Sequence, residues 1–150
     1  KYLSFNVPIV LDADALTELK PFSSDVVLTP HEGEFEKLCP DARGSKLEKA
    51  LYASEKTEAV IVLKGNDTVI AQRGRTPVVN THTSPVLASA GTGDVLAGMI
   101  AGLLAQGMPA FEAASAAVWI HGEAGLRLGK GCIAPDIPDI LPEILRDLLP

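Results

Sequence analysis

Basic residues, cysteines and long apolar runs are all scarce in this sequence of 150 residues. Thirteen lysines and arginines stand against nineteen aspartates and glutamates, so the net charge is −6. That balance excludes the basic surface that general binding to nucleic acids or anionic membranes requires. The longest apolar run, residues 95–104, is too short and too rich in glycine to span a bilayer, and no signal-peptide pattern opens the sequence. We therefore expect a cytoplasmic protein with no nucleic-acid or membrane partner.

The two cysteines, Cys39 and Cys132, lie far apart and form neither a redox pair nor a metal-ligand spacing. We expect both to be buried thiols. With 47% hydrophobic and 21% charged residues, the composition is that of one compact domain or a part of one. Because the sequence starts with Lys1 and runs at once into an apolar stretch, we expect residues 1–150 to be the C-terminal part of a single domain that is incomplete at its N-terminus.

Short apolar runs alternate with helical patterns along the sequence. The runs at residues 7–11, 25–28 and 59–63 are typical of strands buried on both faces of a sheet. A Gly-Asn-Asp turn after the third run predicts a hairpin to residues 68–71, and residues 76–79 are a further candidate strand. The alternation indicates a layered α/β fold with a mostly parallel sheet flanked by helices.

Helices are predicted after most of these strands. The first begins near Asp12, and the second is expected to begin at Thr29 and Pro30, which suit a helix N-terminus. In the last helix, Asp136 is the candidate N-cap. This last helix is predicted at residues 136–149, and the others are predicted at residues 45–56, 88–107 and 110–128.

Residues 90–94, Ala-Gly-Thr-Gly-Asp, lie between a loop of small residues and an apolar helix that is predicted to begin near Val95. Glycines let the backbone approach a ligand closely and adopt conformations closed to other residues. The free amides of a first helical turn, together with the helix dipole, form a site for anions. Such a site suits the spread negative charge of a phosphoryl group in transfer.

Asp94 at the end of this motif has two interpretations. A carboxylate repels anions, so its place in an anion site is explained if it accepts the proton of the hydroxyl that receives the phosphoryl group. Alternatively, Asp94 caps the helix and the glycines form a tight turn. The motif by itself leaves both open.

With its neighbours included, the segment of residues 87–98 resembles the signature of the ADP/ATP-dependent NAD(P)H-hydrate dehydratases, which are ribokinase-like proteins. The sequence Gly-x-Gly-Asp alone marks the superfamily, whereas Thr-Pro-His-x-Gly-Glu at residues 29–34 is more specific to the dehydratases. The resemblance covers nearly the whole chain. The other matching segments, in family order, are residues 11–16, 29–35, 63–65 and 134–139.

The resemblance implies a ribokinase-like fold and a repair reaction. NADH or NADPH that has become hydrated on its nicotinamide ring is phosphorylated on the new hydroxyl, with ADP or ATP as donor. Phosphate is then eliminated, because it leaves more readily than hydroxide, and the reduced cofactor is regenerated. The implied ligands are hydrated NADH or NADPH, ADP or ATP, and Mg²⁺, and a homo-oligomer is expected because relatives often assemble.

Carried over residue by residue, the resemblance makes Asp94 the catalytic base that contacts the substrate hydroxyl. His31 matches a second substrate-binding position. Glu34 stands in the place of an acid that helps to hold Mg²⁺ through water. Thr83-Ser84-Pro85 replaces the Gly-Asn-Pro of many relatives, so the loop before the anion hole is expected to differ in shape. The nucleotide-binding residues implied are Lys64, Gly65, Asn66, Asp67, Thr68, Ala90, Gly91, Thr92 and Gly93, the last four as an anion hole.

Other functions and other residues also have to be considered. A ribokinase-like kinase for a small alcohol shares Gly-x-Gly-Asp but does not explain residues 29–34, and an inactive nucleotide-binding fragment is a third possibility. Asp12 and Asp14 either belong to a site at the end of a parallel strand or cap a helix. His121 and Trp119 are expected to be packing residues in an apolar helix.

Overall fold

Five strands form one mixed sheet in the computed structural model, which describes residues 7–18, 20–22 and 25–148. Strands β1, β2 and β3 are parallel, and β4 and β5 continue the sheet as an antiparallel extension. The predicted hairpin that joins a parallel core to an antiparallel edge is confirmed. In sheet order the strands are β1 (Ile9–Leu11), β2 (Val26–Leu28), β3 (Val60–Leu63), β4 (Thr68–Ala71) and β5 (Val78–Asn80).

Five α-helices flank this sheet, and a short 3-10 turn, Pro85–Ala88, precedes the third of them. In α2, which the sequence predicts at residues 45–56, Ser45 and Glu48 form a reciprocal capping box. None of the helices in the described ranges is long and apolar enough to cross a membrane. The helices are α1 (Glu32–Leu38), α2 (Lys46–Thr57), α3 (Thr92–Ala105), α4 (Ala110–Leu128) and α5 (Asp136–Leu148).

Alternating strand residues pack on opposite faces of the sheet, because successive side chains of a strand point to opposite sides. Val60 and Val62 of β3 pack against α3 and α4 on one face. Ile61 and Leu63 pack against α1 and α2 on the other. The result is a layered α/β fold with helices on both faces, as the sequence predicts, and with the hydrophobic core divided between the two faces.

Several predicted boundaries are wrong. The helix expected near Asp12 is a single 3-10 turn, Ala13–Ala15, and Ala13 has a φ of 46°, which a right-handed helix cannot continue from. Asp136 is the first residue of α5 rather than its N-cap. Strand β1, which was expected to be buried on both faces, is half-buried and is an outermost strand of the sheet among the described residues.

Two residues expected in the interior are more exposed than predicted. Trp119 is 36% exposed and its ring stacks on that of His82, with centroids 4.7 Å apart. Cys132 is only half-buried, whereas Cys39 is buried as expected. Burial raises the pKa of the Cys39 thiol and keeps it in its neutral form.

Candidate active site

The carboxyl ends of the three parallel strands meet the N-terminus of α3. Asp12 directly follows β1, and Lys64 directly follows β3. Between them, His31 lies just beyond β2 and pairs with Lys64 in an isolated parallel bridge, next to a hydrogen bond from Lys64 N to Pro30 O of 2.8 Å. Sites in open α/β sheets collect at this edge of the sheet.

Lys64 supplies a half-buried positive charge at this edge. Its Nζ lies 2.8 Å from Asp12 Oδ1 and 3.9 Å from Glu34 Oε2, and its side chain is 18% exposed. A Cβ placed on Gly93 would lie 3.4 Å from Nζ, so the ammonium group is next to the first turn of α3. Asp12 therefore belongs to the site, and no side chain caps the 3-10 turn that follows it.

The motif at residues 90–94 forms the start of α3 rather than a loop before it. Gly91 is the N-cap, with a φ of 85° that favours glycine, and Asp94 is the third residue of the helix. No side chain caps α3, so the interpretation of Asp94 as a helix cap is wrong. The Asp94 side chain is exposed. The amide of Thr92 donates to Ser89 O at 3.5 Å, whereas those of Gly93 and Asp94, which have no partner within the helix, remain available to a ligand.

Thr92 has a structural role within this turn. Its Oγ1 donates towards Leu87 O at 2.6 Å and Ser89 O at 2.8 Å, and the residue is only 3% exposed. The hydroxyl is therefore occupied by the backbone of the preceding segment. Among the predicted nucleotide-binding residues, Thr92 can offer a ligand only its backbone.

The Thr-Pro-His-x-Gly-Glu segment forms the start of α1 around a reciprocal pair of hydrogen bonds. His31 is the N-cap, and its Nδ1 accepts from Glu34 N at 3.1 Å. In return, Glu34 Oε2 accepts from His31 N at 2.8 Å. A Cβ on Gly33 would lie 3.1 Å from Cε1 of the imidazole, so glycine leaves room for the ring. The helix thus begins at Glu32 with His31 as its N-cap, later than Thr29 and Pro30, where its start was expected.

The turn between β3 and β4 is held by its own side chains and by Lys46. Thr68 Oγ1 accepts from Gly65 N at 3.2 Å and donates to Gly65 O at 2.9 Å. Lys46 Nζ lies 2.9 Å from Asp67 Oδ1 and 3.4 Å from Glu32 Oε1. The hydrogen bond from Lys46 lowers the pKa of Asp67. Asp67 therefore faces Lys46.

A cavity of about 360 Å³ lies between this turn and the start of α3. Seven of the residues predicted to bind substrate or nucleotide line it, whereas Asp67, Glu34, Ala90, Gly91 and Asp94 do not. The other half of the wall was not predicted from the sequence. The cavity is lined by His31, Lys64, Gly65, Asn66, Thr68, Thr92 and Gly93, and by Thr83, Ser84, Leu87, Ala88, Ser89, Leu96 and His121.

Helix α4 forms the rear of this cavity through a close approach to residues 82–87. A Cβ on Gly122 would overlap the His82 carbonyl oxygen, and a Cβ on Gly125 would overlap the side chain of Leu87. His121, next to Gly122, is 8% exposed, and burial lowers its pKa, an effect that a backbone hydrogen bond with Thr92 opposes. The packing position expected for His121 is confirmed, but the ring is also part of the cavity wall.

Carboxylates near Lys64 determine whether the site suits a metal ion. Within the described ranges, no group of three or more His, Cys, Asp and Glu residues could hold a metal by itself. Mg²⁺ bound with a nucleotide needs few protein ligands, because phosphate oxygens and water fill most of its coordination sphere. Glu34 and Asp12, which share the ammonium of Lys64, fit that limited requirement.

Known proteins resemble this chain over almost its full length. A family model described as NAD(P)H-hydrate dehydratase matches residues 1–145. The bifunctional NAD(P)H-hydrate repair enzyme Nnr of Thermosynechococcus vestitus is 43% identical over 93% of this chain and 30% of its own length. The ADP-dependent (S)-NAD(P)H-hydrate dehydratase of Xanthomonas campestris is 37% identical over 95% of this chain and 53% of its own length.

A solved structure extends the similarity to the fold. The ADP/ATP-dependent NAD(P)H-hydrate dehydratase from Bacillus subtilis, co-crystallized with ATP/Mg²⁺, matches with a TM-score of 0.84 and 34% sequence identity. The match covers 97% of this chain and 56% of that one. The chain thus spans about a third to just over half of the lengths of these relatives.

Proposed function

Because the chain belongs to the NAD(P)H-hydrate dehydratase family, we propose that this protein repairs hydrated NADH and NADPH in a dehydration driven by ADP or ATP. The observation that supports this best is the arrangement at the start of α3. There, Asp94 lies next to Gly93 in the first turn of α3 with its side chain exposed, and the ammonium of Lys64 lies beside the same turn. A base beside an anion site is what phosphoryl transfer to a hydroxyl requires.

The first step is phosphorylation of the ring hydroxyl. The hydroxyl oxygen attacks the terminal phosphorus of the nucleotide as Asp94 accepts the hydroxyl proton. The bond from that phosphorus to the bridging oxygen breaks, and AMP or ADP leaves with the electron pair. Asp94 suits this role because its side chain is exposed and does not cap the helix.

Negative charge on the transferred group is stabilised by the surrounding donors. Lys64 Nζ, next to Gly93, is a compact cation for the phosphates. The first-turn amides of α3 add hydrogen bonds and the positive end of the helix dipole. We assign the anion hole to residues 90–93 and the rest of the nucleotide site to residues 64–68.

The second step is elimination of phosphate. The carbon–oxygen bond breaks with its electron pair leaving on the phosphate, and a neighbouring ring carbon gives up a proton to water, which restores the double bond. His31 is assigned to the substrate, because it lines the cavity and its side chain is 59% exposed. Its Nδ1 is fixed by Glu34 N, so the orientation of the ring is set before substrate binds.

Mg²⁺ and the nucleotide complete the proposed site. Glu34 would hold the ion through water, while phosphate oxygens supply its direct ligands. The bound ion would neutralise part of the phosphate charge. The proposal includes both ADP and ATP, since the names of the similar proteins include both.

The test is recovery of reduced nicotinamide absorbance when full-length protein is incubated with hydrated NADH, Mg²⁺ and either ADP or ATP. Asp94→Asn should lower turnover by about 10²- to 10⁴-fold, the range for loss of a general base, and should leave ADP affinity within about threefold. Asp147→Asn is the matched control, because that carboxylate is exposed, pairs with Arg127 at the end of α5 and does not line the cavity.

Each other outcome contradicts a specific part of the proposal. No recovery with either nucleotide rejects the repair activity. Accumulation of a phosphorylated alcohol without dehydration would instead identify a small-molecule kinase. Equal loss of turnover and ADP binding in Asp94→Asn would give Asp94 a structural role.

We further propose a cytoplasmic location, a homo-oligomeric state, and that residues 1–150 belong to one ribokinase-like nucleotide-binding domain. Light scattering of the full-length protein measures its mass in solution, and a monomeric mass would contradict the assembly. Limited proteolysis tests the domain proposal, which predicts that no early cleavage separates the segments that make up the site.

A further inference from the structure

Residues 83–89, here called the wall segment, supply five of the residues that line the cavity. The segment joins β5 to α3 and contains no regular structure except the 3-10 turn Pro85–Ala88. Its place beside the cavity therefore depends on contacts with the rest of the fold. A segment that is already held in its binding position costs less to order when a ligand arrives, so such contacts raise affinity.

His82, the residue before the wall segment, is held on α4 by its side chain and by its backbone. Its ring stacks on that of Trp119, with the two planes 8° apart. Its Nε2 lies 2.8 Å from Glu123 Oε2. Its carbonyl oxygen accepts from Asn80 Nδ2 at 2.9 Å, and a Cβ on Gly122 would overlap that oxygen. His82 thus fixes the start of the wall segment against the helix.

Glu123 is itself held in place on α4. Its Oε1 accepts from Arg127 Nε at 2.7 Å, while Oε2 faces His82. The bond from Arg127, and after it the bond from His82, lowers the pKa of Glu123 and keeps this carboxylate ionised. Because an ionised carboxylate only accepts hydrogen bonds, Nε2 of His82 is the donor. The contact is therefore a charge-assisted hydrogen bond, which is stronger than one between neutral groups.

We propose that His82 and Glu123 are positioning residues for the nucleotide, because their hydrogen bond and the stacking on Trp119 hold the wall segment where the cavity accepts ADP or ATP. Neither residue lines the cavity, so both act through the wall segment. The inference rests on the proposed use of ADP or ATP. Loss of the hydrogen bond should weaken nucleotide binding and leave the chemistry at Asp94 unchanged.

The experiment removes the hydrogen bond with Glu123→Ala in full-length protein, where Arg127 keeps its contacts to α5. KM for ADP should rise by about tenfold, the effect of one lost charge-assisted hydrogen bond, and kcat with hydrated NADH should change by less than about threefold. Loss of folded enzyme has a different signature, since it lowers the apparent kcat and leaves KM unchanged. Glu123→Gln keeps an oxygen acceptor for His82 and should restore most of the affinity.

Glu112→Ala is the matched control. Glu112 also lies on α4 and also pairs with a residue outside the helix, since its Oε1 is 2.6 Å from Arg75 Nη2. Neither member of this pair lines the cavity or belongs to the wall segment. KM for ADP should equal that of the wild type. A rise as large as that in Glu123→Ala would overturn the assignment, because any ion pair of α4 would then have the same effect.

Trp119 provides a spectroscopic readout, because it is the one tryptophan of residues 1–150. A stacked imidazole quenches indole emission, so release of the His82 ring in Glu123→Ala should raise the emission of Trp119. Saturating ADP should lower it again, because an arrangement that favours the ligand is favoured by the ligand in return. The emission lost on Trp119→Phe in the same protein measures the contribution of this residue. Emission that does not respond to ADP in Glu123→Ala would overturn the coupling.

His82→Phe replaces Glu123→Ala if the latter fails to fold, as judged by circular dichroism. A phenyl ring keeps the stacking on Trp119 but has no donor for Glu123, so KM for ADP should rise several-fold. An unchanged KM in whichever variant folds would overturn this inference alone, provided that the wild type binds ADP in calorimetry. A wild type that binds neither ADP nor ATP rejects the proposed function as well.

Discussion

Two half-buried lysines contact the turn between β3 and β4, and each is bonded to two carboxylates. Lys64 lies 2.8 and 3.9 Å from Asp12 and Glu34, and Lys46 lies 2.9 and 3.4 Å from Asp67 and Glu32. Their side chains are 18% and 13% exposed. By local geometry the two ion-pair networks are nearly the same.

What differs is the structure on the far side of each ammonium group. Lys64 faces Gly93 and the first turn of α3, where an anion is favoured. Lys46 faces Gly65 and supports the turn from behind. The ion pairs of Lys64 therefore belong to the candidate active site, whereas those of Lys46 stabilise the turn behind it. Neither the distances nor the burial of the two lysines distinguishes these roles.

Substituting each lysine separately should give the largest contrast. Lys64→Met removes the cation next to the transferred phosphoryl group, and turnover should fall on the order of 100-fold or more. Lys46→Met should change turnover by less than about fivefold, because it only loosens the turn. Steady-state kinetics of the full-length enzyme measures both, and equal losses of turnover would remove the distinction.

A methyl group at Gly65 tests how tightly Lys46 supports the turn. A Cβ there would overlap Lys46 Nζ, so Gly65→Ala should displace the lysine and weaken ADP binding by about tenfold, or 1.4 kcal/mol. If Gly65→Ala binds ADP as the wild type does, the turn tolerates the displacement and the supporting role of Lys46 is rejected.

The N-termini of α1 and α2 provide a second comparison between a site residue and a structural one, with a smaller expected effect. His31 and Ser45 both form capping boxes, with Glu34 and Glu48. His31→Ser keeps a good cap, so the melting temperature should hardly change while KM for the hydrated cofactor rises several-fold. Ser45→Ala should lower the free energy of unfolding by about 1 kcal/mol and leave KM unchanged. Thermal denaturation and steady-state kinetics of both variants measure these effects. A lower melting temperature of His31→Ser with an unchanged KM would contradict the prediction.

The smallest expected effect is on the pH dependence of stability. Lys46 lowers the pKa of Asp67, so the folded state holds this carboxylate ionised more strongly than the unfolded chain does. The resulting stabilisation is present above the ordinary aspartate pKa of about 3.9 and is lost as pH falls through the lowered value. The difference in unfolding free energy between the wild type and Lys46→Met should therefore shrink in acid. A difference that stays constant below pH 4 would show that the ion pair does not contribute.

The sequence predicts local elements well and long-range pairings poorly. Apolar runs identify β2, β3 and β4, and the helical pattern of residues 45–56 identifies α2, because these signals lie within a few residues. The bond between Asp12 and Lys64 joins residues 52 positions apart, and no local pattern indicates it. For the same reason the place of His121 in the cavity wall depends on α4 folding back onto residues 82–92.

Within the site, motif matching predicts which segments lie together, but it does not predict which atoms are available to bind a ligand. It places residues 29–34 and 90–94 in the site, and the structure brings His31 and Gly93 to one cavity. It does not show that the Thr92 hydroxyl is occupied by backbone carbonyls, or that Asp67 turns towards Lys46. Those outcomes depend on side-chain hydrogen bonds that form only in the packed fold.

The contact of Gly122 with the His82 carbonyl has a consequence for anyone who wants to change what the cavity admits. At Gly122, helix α4 approaches His82 and Thr83 backbone against backbone, and no side chain is present at that point to shorten. Room for a bulkier inhibitor or an altered nucleotide has to come from side chains of the cavity wall, such as those of Leu87 and Leu96, which can be trimmed. Directed evolution of this cavity should therefore begin at those two leucines and leave Gly122 fixed.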